Sequence, residues 1–199
     1  MGRISFAIER CTRCRMHKSL CVCSFIRPMY LQTQIILISH VREYVKISAT
    51  GPLALECLPN SELLIHGRRE NPLDLNRFLN PERRALILFP RPGVQPLTRE
   101  MVESDSRPIT LVVPDGNWAQ ASKMARRLPG VEHFSNVTLP DGQQTQWGLR
   151  KETHSDGLAT FEAIARAIGI IESPLAQQKM EALFDEMVSR TKRLRGAAI

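Results

Sequence analysis

The sequence predicts an α/β domain built on a largely parallel sheet flanked by helices, with a small cysteine-rich segment in front of it. Three observations lead there. Four short runs, Gln34 to Ser39, Glu62 to Ile65, Ala85 to Phe89 and Ile109 to Val113, are nearly continuous in apolar residues. Runs of that kind suit strands covered on both faces, as in parallel sheets, whereas half-exposed strands alternate. Helical periodicity follows over Asn117 to Leu128, Thr160 to Ile170 and Leu175 to Leu194. Lastly, Cys11, Cys14, Cys21 and Cys23 lie within thirteen residues as C-x2-C-x6-C-x-C. We therefore read 1–30 as a metal-binding segment and 31–199 as the main domain.

Four thiolates so close together suit a tetrahedral zinc ion. Metal binding would supply folding free energy to a segment too short to fold on its own apolar content. Two disulfides are the competing reading, and the short C-x-C arm leaves an iron–sulfur cluster open. Met1 to Phe6 carries Arg3 and no apolar run, so no signal peptide is expected. The chain then reads as cytoplasmic, with reduced thiols. Cys57 sits among Leu53, Leu55 and Leu58 and reads as a small buried hydrophobe.

The helices follow from their stripes. Trp118, Ala121, Met124, Ala125 and Leu128 recur at helical spacing. So do Leu175, Met180, Leu183, Phe184, Met187, Val188, Thr191 and Leu194, with Ser173-Pro174 as the helix start. Both stripes read as core-facing. Pro90 to Pro96 and Pro140 to Gly142 read as loops.

A chain of 199 residues, 43% hydrophobic and 24% charged, can build one sizeable core with an appendage. No apolar run approaches the ~20 residues of a membrane span. Lys and Arg number 27 against 20 Asp and Glu, a net charge of +7. The excess is uneven. Residues 1–30 hold Arg3, Arg10, Arg13, Arg15, Lys18 and Arg27 against Glu9 alone, and Arg190, Lys192, Arg193 and Arg195 sit near the other end. Basic residues around a metal knuckle suggest a nucleic-acid partner. A solvated surface is the bland alternative.

In open α/β sheets, ligands gather at the carboxyl ends of strands. The first strand ends in Ser39-His40, with Glu43, Lys46 and Ser48-Ala49-Thr50-Gly51 behind it; the third ends in Phe89-Pro90; the fourth ends in Pro114-Asp115-Gly116-Asn117-Trp118 and runs into a helix. Gly116 lets the backbone approach a ligand closely. Asp115 could hold a cationic or hydrogen-bonding group, and Trp118 could stack on a flat base. Alternatively, Asp115 or Asn117 caps the helix and Trp118 is core. Thr160 followed by Glu162 could be no more than a helix cap. There is no P-loop, G-x-G-x-x-G, nucleophile elbow or H-E-x-x-H pattern, so phosphate hydrolysis, nicotinamide binding and serine chemistry lack support.

Together these segments resemble the DTW-domain family, the tRNA-uridine aminocarboxypropyltransferases. The likeness rests on the C-x2-C…C-x-C head, His40-x-x-Glu43 with Ser48-Ala49-Thr50-Gly51, Leu88-Phe89-Pro90, Asp115-Gly116-Asn117-Trp118, and Leu149-Arg150-Lys151 followed by Leu158-x-Thr160-x-Glu162-Ala163. Departures are Asn117 where Thr is usual, Ala49 for a common Asn, and Ala159 for a common Ser.

The resemblance implies a SPOUT-like fold with a deep C-terminal knot around the cofactor. It implies S-adenosylmethionine as donor and transfer of its 3-amino-3-carboxypropyl group to N3 of a uridine in tRNA, leaving methylthioadenosine. Asp115 is then the first candidate for the base that takes the N3 proton and Glu162 the second, unless either holds the cofactor instead. Phe89, Pro90, Gly116, Leu149 and Leu158 would line the adenine site. Asn117, Trp118, Thr160 and Arg150 would contact the cofactor, and His40, Glu43, Lys46 and Lys151 the tRNA. A related methyltransferase and a non-catalytic zinc RNA-binding protein are the rival readings. A monomer is expected, because a metal-bound head would obstruct pairing through the knot.

Overall fold

The computed structural model describes residues 10–46, 48–68, 70, 72–142, 145 and 157–196, the last three by backbone alone. Five strands make one sheet: β1 (Gln34–His40), β2 (Ser61–His66), β3 (Arg84–Leu88), β4 (Ile109–Asp115) and β5 (Ser135–Val137). Their order is β2-β1-β4-β3-β5, and every pairing is parallel. The parallel sheet expected from the sequence is therefore present.

Alternate residues of each strand feed two separate cores, which is why the runs look continuous. Ile35 and Leu37 of β1, Leu86 and Leu88 of β3, and Leu111 and Val113 of β4 pack on one face. Ile36, Ile38, Ile87 and Val112 pack on the other. Each such side chain contributes about 1.5–3 kcal/mol of burial free energy. The first face is covered by helices α2 (Gly51–Leu55), α5 (Thr160–Ile171) and α6 (Pro174–Gly196). Phe161 of α5 stacks on Phe184 of α6, ring centroids 5.0 Å apart. The second face is covered by α4 (Trp118–Arg127), with Ala121, Met124 and Ala125 inward, and by the turns that carry Leu75 and Phe134. Two short helices, α1 (Val41–Tyr44) and α3 (Arg99–Glu103), complete the domain.

The long helix begins where expected, with the Ser173 hydroxyl accepting from the Ala176 amide at 3.3 Å and Pro174 in the first turn. Two stripe residues are corrected. Leu175 is 58% exposed; at the helix's first turn it turns outward, and Ala176 takes the buried position. Trp118 is 46% exposed, so it does not belong to the core. It stands at the first position of α4, just past the carboxyl end of β4, with one side of its ring against Phe89. The side chain of Leu194 lies outside the described residues.

The cysteine-rich segment packs on the same face as α5 and α6. Cys14, Val22 and Ile26 are buried in that core, and Cys57 joins them, its thiol pushed up to about 11 by burial. Arg190 of α6 donates to the Cys21 carbonyl, lies over the Phe25 ring at 5.0 Å and pairs with Glu186 at 2.6 Å. Arg190 is thus spent inside the protein; Lys192 and Arg193 are exposed on the same helix. Among the described residues no helix is long and apolar enough to cross a membrane. Of the C-terminal part in which the resemblance implies a knot, residues 143–144, 146–156 and 197–199 lie outside the described residues.

Candidate active site and metal centre

The chain leaves β1 towards the edge strand β2 but leaves β4, through α4, towards β5 on the opposite side. Strands β1 and β4 are neighbours, so their carboxyl ends form a switch point, where an open α/β sheet leaves a crevice. Asp115 closes β4 there, in register with Ser39 of β1. It is 7% exposed and Ser39 is fully buried. The Ser39 hydroxyl donates to Asp115 Oδ2 at 2.8 Å, and the Thr160 hydroxyl donates to Oδ1 at 2.6 Å. Two hydroxyls therefore aim the carboxylate, and each oxygen keeps acceptor capacity for one more proton donor.

Thr160 reaches Asp115 because the start of α5 is tightly held. The Thr50 hydroxyl accepts from the Phe161 amide at 3.2 Å. Glu162 is buried, and its Oε2 accepts from the Ala159 amide at 2.9 Å and from the Thr145 hydroxyl. That is half of a capping box, with an acidic group at the positive end of the helix. The Ala159 side chain offers no oxygen for the other half. The cap reading of Glu162 thus has direct geometric support, while a proton-transfer role would compete with these bonds. Gly51 closes the wedge: a Cβ there would stand 2.9 Å from Leu37 Cδ2 and 3.2 Å from Thr160 Cγ2. Gly51→Ala is expected to cost about 1–3 kcal/mol through overpacking and to lower the melting temperature by roughly 2–4 °C per kcal/mol. Differential scanning calorimetry checks it; an unchanged melting temperature would refute the close packing.

On the β3 side the lining is aromatic. Phe89, just past β3, is 5% exposed and meets the Trp118 ring with centroids 5.2 Å apart. Asn117 caps α4: its side chain accepts from the Gln120 amide at 2.9 Å, and Gln120 Oε1 accepts from the Asn117 amide at 2.9 Å. Asn thus does the capping open to the usual Thr. At Gly116 a Cβ would meet that Gln120 side chain at 2.9 Å. Pro90 is exposed and Leu158 half-buried. Leu149, Arg150 and Lys151 lie outside the described residues.

On the β1 side the lining is basic. His40 ends β1 and caps α1, its Nδ1 accepting from the Arg42 amide at 3.2 Å. The His66 ring at the end of β2 stands 6.0 Å away, edge-on. Burial lowers the pKa of both imidazoles, helped for His40 by Arg42 and for His66 by His40 itself. Glu43 is buried and bonds the Lys46 ammonium; that pair faces inward at Glu43 and outward at Lys46. The sequence named His40 as a candidate but not its neighbour, because His66 comes from a different strand. It also missed Ser39 as a partner for Asp115. The only available signal was a serine ending an otherwise apolar run.

The four cysteine sulfurs lie within 4.8 Å of one another, with Cys11 and Cys23 at 3.4 Å and Cys14 and Cys21 at 3.8 Å. All four are free thiols, which removes the disulfide reading. The edges of a tetrahedron with ~2.3 Å metal–sulfur bonds are ~3.8 Å, so the cluster fits one metal ion. Its first arm is a tight knuckle. The Arg15 amide donates to the Cys11 carbonyl at 3.0 Å, the Cys11 amide to the Met16 carbonyl at 2.8 Å, and Arg15 takes a left-handed φ of 63°. Amide groups of Cys14 and Arg13 directed at Cys11 hold its thiol down at about 6. Burial pushes Cys23 up to about 12 and raises Cys14. Arg15 also lies over the Tyr44 ring of α1 at 4.3 Å, which joins the knuckle to the basic side of the crevice.

Fold and site define an open parallel α/β protein with a buried carboxylate at its switch point and, on one flank, a four-cysteine cluster that could hold a metal ion. The DTW domain matches residues 8–192, and the chain belongs to that family. Curated relatives include tRNA-uridine aminocarboxypropyltransferase 2 of Macaca fascicularis, 29% identical over 168 residues, which are 81% of this chain and 56% of the relative. The Mus musculus protein of that name is 27% identical with the same coverage. That of Drosophila melanogaster is 27% identical over 172 residues, 83% of this chain and 67% of the relative. The chain spans little more than half the length of the two mammalian relatives. Among solved structures, the SAM-dependent rRNA:acp-transferase Tsr3 from Vulcanisaeta distributa is 16% identical, with 81% of each chain covered and a TM-score of 0.48.

Proposed function

We propose that this protein transfers the 3-amino-3-carboxypropyl group of S-adenosylmethionine to N3 of a uridine in tRNA, releasing methylthioadenosine. The observation that carries this reading is Asp115, a buried carboxylate held by two hydroxyls at the switch point, with the Phe89–Trp118 ring pair at the neighbouring strand end. Membership of the DTW family and the relatives' names support it. When bound, the donor supplies an electrophilic carbon next to a sulfonium.

Phe89, Trp118 and the backbone at Pro90, Gly116 and Leu158 hold the adenosine side, with Leu149 and Arg150 completing the site. Asp115 would then face the methionine arm. Asp115 would take the N3 proton while N3 bonds to the sulfur-linked carbon of the methionine arm, and the bond from that carbon to sulfur would break with its electron pair leaving on methylthioadenosine. Positioning of the two partners supplies much of the rate, and proton removal supplies more. Thr160 and Ser39 keep the carboxylate oriented. Lys46 and Lys151 would contact the RNA, and the four cysteines would hold zinc. In this reading the C-terminal part forms a SPOUT-like knot around the cofactor, in a monomer.

The test is direct. Unmodified tRNA is incubated with the protein and S-adenosylmethionine, digested to nucleosides and weighed. A uridine heavier by about 101 daltons is expected, whereas about 14 would mean methyl transfer through another carbon of the same sulfonium. No mass change and no cofactor binding by calorimetry would reduce the protein to an RNA-binding module.

A further inference from the structure

Beside the Asp115 crevice lies a second concavity of about 460 Å³, between the ends of β1 and β2 and the outer side of α4. That volume is in the range of nucleotide-sized ligand sites. It is lined by His40, Arg42, His66, Gly67, Gln120 and Lys123, among others, and no lining residue is acidic.

Its charges are also unspent. Several other arginines are paired, Arg13 with Glu56, Arg77 with Glu62, Arg99 with Glu103 and Arg107 with Asp105. Arg42 and Lys123 are exposed and have no ion-pair partner among the described residues. His40 spends Nδ1 on the Arg42 amide, which leaves Nε2 to carry the ring proton. That nitrogen lies 3.4 Å from the position a Gly67 Cβ would take, so Gly67 keeps the donor uncovered. Two fixed cations beside two imidazole donors, with no acidic residue in the lining, make a receptor for an anion with several oxygens.

We infer that this concavity binds the phosphodiester backbone of the RNA next to the target uridine. The inference rests on the proposed function and extends it with a substrate subsite. The placement favours RNA phosphate over the donor's own carboxylate. The aromatic wall that suits adenosine stands on the β3 side of Asp115, whereas this concavity stands on the β1–β2 side. A strand entering there delivers its base to Asp115 from the face opposite the donor, as in-line displacement needs.

The test uses the full chain with Arg42→Ala and Lys123→Ala combined. Both side chains are exposed. The readouts are tRNA affinity by filter binding across a salt series and S-adenosylmethionine affinity by calorimetry. Loss of two phosphate contacts should weaken tRNA binding roughly tenfold or more at 0.1 M salt and flatten the log–log salt slope by about 1.4–1.8. Cofactor affinity should not change. A control pair on the same helix, Arg126→Ala with Arg127→Ala, removes equal charge outside the concavity and should have a clearly smaller effect. An unchanged salt slope, or an equal effect in the control, overturns the inference. Lost cofactor affinity with intact tRNA binding also overturns it and assigns the concavity to the donor's carboxylate. A wild-type protein that binds tRNA through these residues but transfers nothing would leave the subsite standing and sink the proposed reaction alone.

Discussion

Asp115→Asn is expected to lower aminocarboxypropyl transfer by about 10²–10⁴-fold, the usual contribution of a placed general base. The substitution keeps the side chain's shape and one acceptor oxygen, so the fold should survive. Asp115→Ala is a less clean test. It would leave the Ser39 and Thr160 hydroxyls, which now donate to Asp115 at 2.8 and 2.6 Å, without an acceptor, at a cost of about 1–3 kcal/mol for each buried orphan. Steady-state kinetics separate the two roles this carboxylate could play. A base affects kcat with little change in the KM for S-adenosylmethionine. A group that only holds the donor raises that KM and spares kcat. Full activity in Asp115→Asn would remove the residue from the mechanism, and with it the arrangement proposed around β1 and β4.

Removing the metal should have the largest effect on stability. Four-cysteine zinc sites contribute about 10–16 kcal/mol in isolated peptides. Here part of that loss is cushioned, because the sheet and its helices keep two cores of their own. Yet Cys14, Val22 and Ile26 sit in the same core as α5 and α6, so a detached knuckle would expose that face. A loss of roughly 5 kcal/mol translates to about 10–20 °C in melting temperature for a chain of this size. Cys14→Ser, or dialysis against a strong chelator, should show it by scanning calorimetry while much of the circular dichroism persists. Elemental analysis of the untreated protein should find one zinc per chain. Visible absorption from iron and sulfide would replace zinc with a cluster. A metal-free protein with an unchanged melting temperature would refute a structural metal.

Much of the fold is legible in the sequence because each central strand is covered twice. A residue such as Ile36 or Leu37 is apolar whichever face it serves, and the run announces itself. Strand β5 does not. It is three residues long, Ser135–Val137, and Val137 alone is fully buried, so no period can form. Helices α1, α2 and α3, at four or five residues each, are equally silent. Strand order is invisible because it depends on pairings between distant segments, such as Ser39 with Asp115. For the same reason Asp115 could be singled out at the end of its run, but its two hydroxyl partners could not. Trp118 fits a helical stripe on paper and faces solvent in the fold, since periodicity cannot tell where a neighbour stops. Thr50-Gly51 looked like a ligand motif. In the fold it anchors the start of α5, which is how the Thr160 hydroxyl comes to lie on Asp115.

The bond from Arg190 to the Cys21 carbonyl joins groups 169 positions apart, and this has a bearing on how the molecule is made. At synthesis rates of about 5–20 residues per second, the cysteine loop waits roughly 8–34 s on the ribosome before its helical partner exists. During that interval its thiols are unshielded and its apolar side chains have no surface to rest on. An early-captured ion would let the loop hold its shape until the last helix arrives to cover it.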